Sequence, residues 1–233
     1  MLARTWYAWR TFWAACRNNR WMQYRWARNE AEFDRLIREI STRTDDFFVI
    51  QIGACDGLLA DPIHRWIQSF KWRGILVEPQ RVEFEKLTNT YKQDQDRLVF
   101  ENVAICDRDG TCTLYRMKDD ARSEEWERGF ASLLPRFASD RFIADTVPCI
   151  TFDTLLHRHQ VTRVDLLQID TEGYDFEILK LVDLNKVRPV LIRYEHRHLM
   201  PGDKHACRRY LERHGYTILE MEFDSGCVRQ EAG

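Results

Sequence analysis

The chain has no C-x-x-C pair, no long uninterrupted apolar run and no excess of either charge. Its seven cysteines are odd in number and widely scattered, which argues against a disulfide frame or a zinc knuckle and fits a reducing cytoplasm. Arg4 and Arg10 break the aromatic opening stretch, and nothing approaches the roughly 18 apolar residues of a spanning helix, so neither export nor a membrane span is read. A formal charge of −2 gives no general attraction to nucleic acid. Internal repeats and low-complexity segments are missing too, and residues 1–28 contain six arginines but no acid.

What is present is a 44% hydrophobic composition, enough for a real core in 233 residues. Residues 1–40 carry helical spacing, with Trp6, Trp9, Trp13 and Cys16 and then Phe33, Leu36 and Ile37 recurring on one side. "STRTDD" at 41–46 ends that pattern. Five of the eight tryptophans precede residue 30, so this basic aromatic segment is set apart as an extension, 1–44, ahead of a domain at 45–233. Residues 1–28 could rest on an anionic membrane surface, dock a partner, or cover the domain's own sheet; packing against protein is favoured because the aromatics spread around the helix.

From residue 45 short apolar runs alternate with amphipathic stretches: Phe47–Ile52, a helix opened by Asp61 and Pro62, Gly74–Glu78, a helix with Phe84, Leu87 and Tyr91 on one face, then Leu98–Ile105. The "DRDG" turn at 107–110 folds that third strand toward "TCTLYRM" as a hairpin. Val164–Ile169, a helix with Tyr174, Ile178 and Leu181, Pro189–Tyr194, a helix through 204–213 and a closing hairpin follow. This is an α/β domain with a mostly parallel, doubly covered sheet and an antiparallel C-terminal hairpin. Residues 118–146 are too long and too charged for an ordinary connection and read as a lid or substrate loop, with Gly129 a candidate hinge.

The first strand runs into "GACDG", where glycine lets the backbone approach a ligand at the sheet's crevice. Glu78 ends the second strand 21 residues after Gly57, the place from which a carboxylate accepts hydrogen bonds from both hydroxyls of a ribose. The third glycine of the dinucleotide fingerprint is missing, which counts against a nicotinamide oxidoreductase and favours a nucleoside cofactor without pyrophosphate, S-adenosyl-L-methionine.

"QIGACDG", "GILVEPQ", "FENVAICDRDG" and "DLLQIDTEGYDFEIL", in this order, resemble the FkbM-type S-adenosylmethionine-dependent methyltransferases over roughly residues 45–229. The resemblance implies a class I methyltransferase fold, Rossmann-like, with seven strands, the last antiparallel, and O-methylation of a saccharide or natural-product hydroxyl. By position it puts Gln51, Gly53, Ala54, Asp56 and Gly57 along the amino-acid portion of the cofactor, Glu78 and Pro79 at its ribose, and Asn102, Val103 and Ala104 beside adenine. Cys55 stands where asparagine is more usual in the family. Ala131 and Ser132 fall in a stretch that in the family lies near the active centre.

For the proton of an acceptor hydroxyl the candidates are Asp170 first, with Glu172 orienting it or raising its pKa, and Glu195 and His196 from "YEH". Asp170 also borders the cofactor. The same acids could simply cap the following helix. Two H-x-H pairs, His157 with His159 and His196 with His198, lack the spacing that marks zinc and read as surface residues, so no metal is assigned; a divalent ion at Asp170 and Glu172 is less remote. Methylation of a lipid- or protein-linked acceptor and an inactive binding module are the alternatives.

Overall fold

The computed structural model describes residues 19–118, 129–135 and 140–230. The chain opens with helix α1 (Arg20–Arg43), then β1 (Phe48–Ile52), α2 (His64–Phe70), β2 (Arg73–Val77), α3 (Arg81–Thr90) and β3 (Leu98–Glu101). A second group follows, β4 (Ala104–Ile105), β5 (Gly110–Met117), β6 (Ala131–Ser132) and β7 (Phe142–Ile150). The chain closes with α4 (Phe152–Arg158), β8 (Leu166–Ile169), α5 (Asp175–Leu181), β9 (Leu191–Glu195), α6 (Pro201–Arg213), β10 (Tyr216–Glu220) and β11 (Asp224–Arg229).

Seven strands form one sheet in the order β10-β11-β9-β8-β1-β2-β3, and β11 alone runs against the rest. Both faces of the central strands are apolar, because parallel strands joined by crossover helices are covered on each side. Ile50, Ile52, Leu167 and Ile192 pack toward α4, α5 and α6, while Val49, Leu76, Leu166 and Leu191 pack toward α1, α2 and α3. Helix α1 is part of this core: Phe33 and Ile37 are fully buried, and Phe33 lies against Gly226 of β11, where a Cβ would come within 2.5 Å of its ring. Trp21 and Tyr24, near the start of α1, are 64% and 69% exposed. Trp6, Trp9, Trp13 and Cys16 lie outside the described residues.

Four expectations change. The run Leu98–Ile105 is not one strand; it breaks after Glu101, and Ala104–Ile105 leaves to join a second, four-stranded sheet, β4-β7-β5-β6. The "DRDG" turn does not pair its two flanks, because β5 runs antiparallel to β7, whereas β4 pairs with β7 in parallel. Helix α2 starts at His64, with the Asp61 carboxylate still accepting from the Ile63 and His64 amides. The stretch 118–146 is not wholly loop, since it supplies β6 and the first half of β7. In the three changes that involve strands, long-range pairing overrode a local turn or apolar signal.

Candidate active site

Parallel β1, β2, β8 and β9 all end on the same edge of the large sheet, so Gly53, Glu78, Asp170 and Glu195 converge there without being near in sequence. They line a cavity of about 370 Å3 together with Gln51, Ala54, Pro79, Val103, Ala104, Glu172 and, from the small sheet, Leu114, Ala131 and Ser132. The volume lies in the range of small-molecule sites.

Gly53 has φ +82°, and a Cβ there would lie 1.8 Å from the Asp170 carbonyl oxygen. Gly57 has φ +74° and its Cβ would press 2.7 Å from the Tyr91 ring. Both glycines are therefore demanded by protein neighbours before any ligand is considered, which corrects the sequence argument that ligand approach is the reason for them. Cys55, between them, also adopts left-handed backbone at φ +47°, a conformation asparagine tolerates best among non-glycine residues, which accounts for the family's usual choice.

Glu78 is 3% exposed, and its two carboxylate oxygens accept from the Cys55 amide at 2.9 Å and the Gln80 amide at 2.8 Å. The Gln80 side chain also hydrogen-bonds this carboxylate, which leaves only part of its acceptor capacity open. Burial pushes its pKa up to about 7 against the pull of those two amides. Asn102 does not line the cavity; its side-chain amide donates to the Glu78 and Pro79 carbonyls and fixes the β2 end. Asp56 and Gly57 also fall outside the lining, the Asp56 carboxylate accepting from the Leu58 and Leu59 amides to close the loop.

The opposite wall is acidic. Asp170 is half-buried at the cavity, and burial, then the neighbouring Glu195, Glu172 and Asp175 charges, raise its pKa well above the carboxylate range. Burial and Glu172 raise Glu195 to about 8. His198 sits between them, its Nδ1 2.9 Å from Glu195 and 2.7 Å from Glu172. Nδ1 has one hydrogen for the two carboxylates, and Glu172 Oε2 is the nearer oxygen. Burial opposes protonation of His198, but the two carboxylates prevail and raise it to about 10, so an imidazolium is held among the acids at neutral pH. Phe130 closes over the ring at 4.9 Å.

Asp175, not singled out from the sequence although it lies in "IDTEGYD", binds this turn together: its carboxylate accepts from the Thr171 hydroxyl, the Gly173 amide and the Glu195 amide. The capping alternative for Asp170 and Glu172 is not what the fold uses, since the N-cap position of α5 is Tyr174 and has no side-chain cap. Arg193 and Asp224 form a buried pair at 2.6 Å beside the cavity, also unforeseen. His196 is corrected: fully buried with Nδ1 2.9 Å from Ser225, and outside the lining, it faces the core. The H-x-H pairs divide similarly, His198 entering the site while His159 contacts Glu101 and His157 stays exposed. Alternation would put residues two apart on one face, but the strand ends at Glu195 and residues 197–198 turn, so His196 and His198 part where no one-dimensional signal marks the strand's end.

Glu172, Glu195 and His198 bring oxygen and nitrogen donors within 4.8 Å of one another, a set that could also hold a hard divalent ion. No ligand is needed to explain their packing, because His198 already neutralises the pair.

A mostly parallel seven-stranded sheet with one reversed final strand, and a buried acid closing β2 at a crevice, defines the class I methyltransferase fold. The chain belongs to the methyltransferase FkbM domain family, whose sequence profile matches residues 51–218. A crystal structure of the methyltransferase FkbM from Methylobacillus flagellatus KT superposes with a TM-score of 0.52 at 13% identity, covering 78% of this chain and 43% of that one. The chain thus spans less than half of that protein's length. The N-terminal domain of human METTL16 (TM-score 0.47, 11% identity, 87% of this chain and 68% of that one) and a fibrillarin/Nop5p complex (TM-score 0.43, 14% identity, 80% and 73%) are also similar. No curated protein matches the sequence significantly.

Proposed function

We propose that this domain uses S-adenosyl-L-methionine to methylate a hydroxyl of a saccharide or related metabolite. The observation that carries the cofactor reading is Glu78: a buried carboxylate lining the cavity at the end of β2, fixed by two amides and the Gln80 side chain and with acceptor capacity left for a ribose hydroxyl. Val103, Ala104 and Leu114 offer apolar contacts suited to adenine, and Gly53 with Ala54 leaves room for the amino-acid tail. The cofactor, when bound, supplies an electrophilic methyl group on a positively charged sulfur. The carboxyls of Asp170, Glu172 and Glu195 line the same cavity, and the approach of that positive charge favours their ionised forms.

The acceptor oxygen must be held in line with the methyl and give up its proton as the new C–O bond forms. Glu172, paired with His198 on the cavity wall, can orient that hydroxyl, and Asp170 in its deprotonated form, a strong base because its pKa is raised, takes the proton, with Glu195 and His198 completing the network. Acceptor choice falls to the small sheet and the segment around Ala131 and Ser132, the side of the cavity facing that network. Six free thiols among the described residues suit a reducing cytoplasm. Calorimetric titration with S-adenosylmethionine and its demethylated product, followed by an acceptor screen scored by demethylated-product release, tests the reading. Asp170→Asn is expected to leave cofactor affinity within a few-fold and to cut turnover about 100-fold. Absence of cofactor binding overturns the proposal, and unchanged turnover in Asp170→Asn overturns the proton route.

A further inference from the structure

Cys106, Cys112 and Cys149 are six and 37 residues apart in a sequence with no metal-ligand spacing, yet their three sulfurs lie within 4.8 Å of one another. The register of the small sheet is what gathers them. Parallel pairing sets Ala104 of β4 beside Cys149 of β7, antiparallel pairing sets Gly110 and Cys112 of β5 beside Cys149 and Val147, and the Cys106 amide, just past β4, donates to the Ile150 carbonyl at 2.9 Å. Three thiols from three segments therefore converge, with Cys106 and Cys149 buried and Cys112 partly exposed.

We propose that these three thiols form a thiolate site for a soft, thiophilic cation such as Zn2+. Tetrahedral zinc–sulfur bonds of about 2.3 Å require sulfurs about 3.8 Å apart, so closing the set from within 4.8 Å needs at most about an ångström of contraction. Ligands of this softness select zinc or copper(I) over magnesium or calcium, and a three-sulfur set leaves a fourth position on the exposed Cys112 side, which is also the way in. Each thiol releases its proton as the ion binds. The ion would join β4, β5 and β7, the strands of the sheet that contributes Ala104, Leu114, Ala131 and Ser132 to the cavity wall. This site is separate from the carboxylate–histidine group and does not depend on the cofactor reading.

The test is titration of the reduced protein with Zn2+ against a competing chromophoric chelator, paired with Co2+ substitution. One equivalent should bind, cobalt should give sulfur-to-metal charge-transfer absorption with tetrahedral ligand-field bands, and the melting temperature should rise. Cys112→Ser and Cys149→Ala should each remove the cobalt spectrum while Cys55→Ser keeps it. Cys112→Ser alters a partly exposed thiol, and mass-spectrometric alkylation of the unsubstituted protein needs no variant: Zn2+ should protect Cys112, leaving Cys55 as reactive as before. No binding at one equivalent, a cobalt spectrum that survives Cys112→Ser, unprotected Cys112, or a disulfide within the trio in place of metal binding would each overturn the proposal.

Discussion

Replacing Glu78 by glutamine separates what this residue costs the fold from what it gives the cavity. The Glu78 carboxyl titrates near 7 rather than 4.5, chiefly because burial penalises its charge. A carboxyl whose native pKa is raised binds its proton more tightly folded than unfolded, so its stabilising contribution is complete below pH 4.5 and is lost as pH climbs through 7. At about 1.4 kcal/mol for each pH step the interval amounts to about 3 kcal/mol, of which roughly 2.5 falls between pH 5 and pH 8. Glutamine cannot ionise, and its NH2 faces one of the two amides that the carboxylate accepts, which subtracts a constant penalty of about 1–3 kcal/mol at every pH. Urea unfolding of both proteins at pH 5, 6, 7 and 8 is the assay. The stability difference should move by about 2.5 kcal/mol in the variant's favour from pH 5 to pH 8, while calorimetry shows its cofactor affinity lost. A pH-independent difference would refute the burial argument, and retained affinity would refute the ribose contact.

Gly53→Ala places a Cβ 1.8 Å from the Asp170 carbonyl oxygen at φ +82°, so a loss of more than about 3 kcal/mol is expected in thermal melts, with Gly57→Ala less damaging because a ring rather than backbone must yield. Phe33→Ala empties a fully buried site against Gly226 and should cost about 3–5 kcal/mol in urea; a cost under about 1 kcal/mol would show that α1 is an appendage rather than core. His198→Gln removes the cation from between Glu172 and Glu195, so the ascending limb of the kcat–pH profile should move to higher pH by about one step or more, and an unmoved limb would take His198 out of the network.

Apolar runs ending on "GACDG" and at Glu78, alternating with helical spacing, were enough to fix a covered parallel sheet and the acid that closes its second strand, since period and composition act locally. The amino acids alone also placed Asp170 and Glu195 at strand ends. They did not determine which histidine faces the cavity, why Gly53 must lack a side chain, or that Leu98–Ile105 divides between two sheets. Those outcomes depend on contacts more than 40 residues apart in sequence, Gly53 against Asp170, Ala104 against Cys149, Phe33 against Gly226. Three-dimensional closure likewise turned cysteines without any spacing pattern into one cluster and two carboxylates with a histidine into a charged network, because pKa and proximity follow from which groups share a dry space, not from their order along the chain.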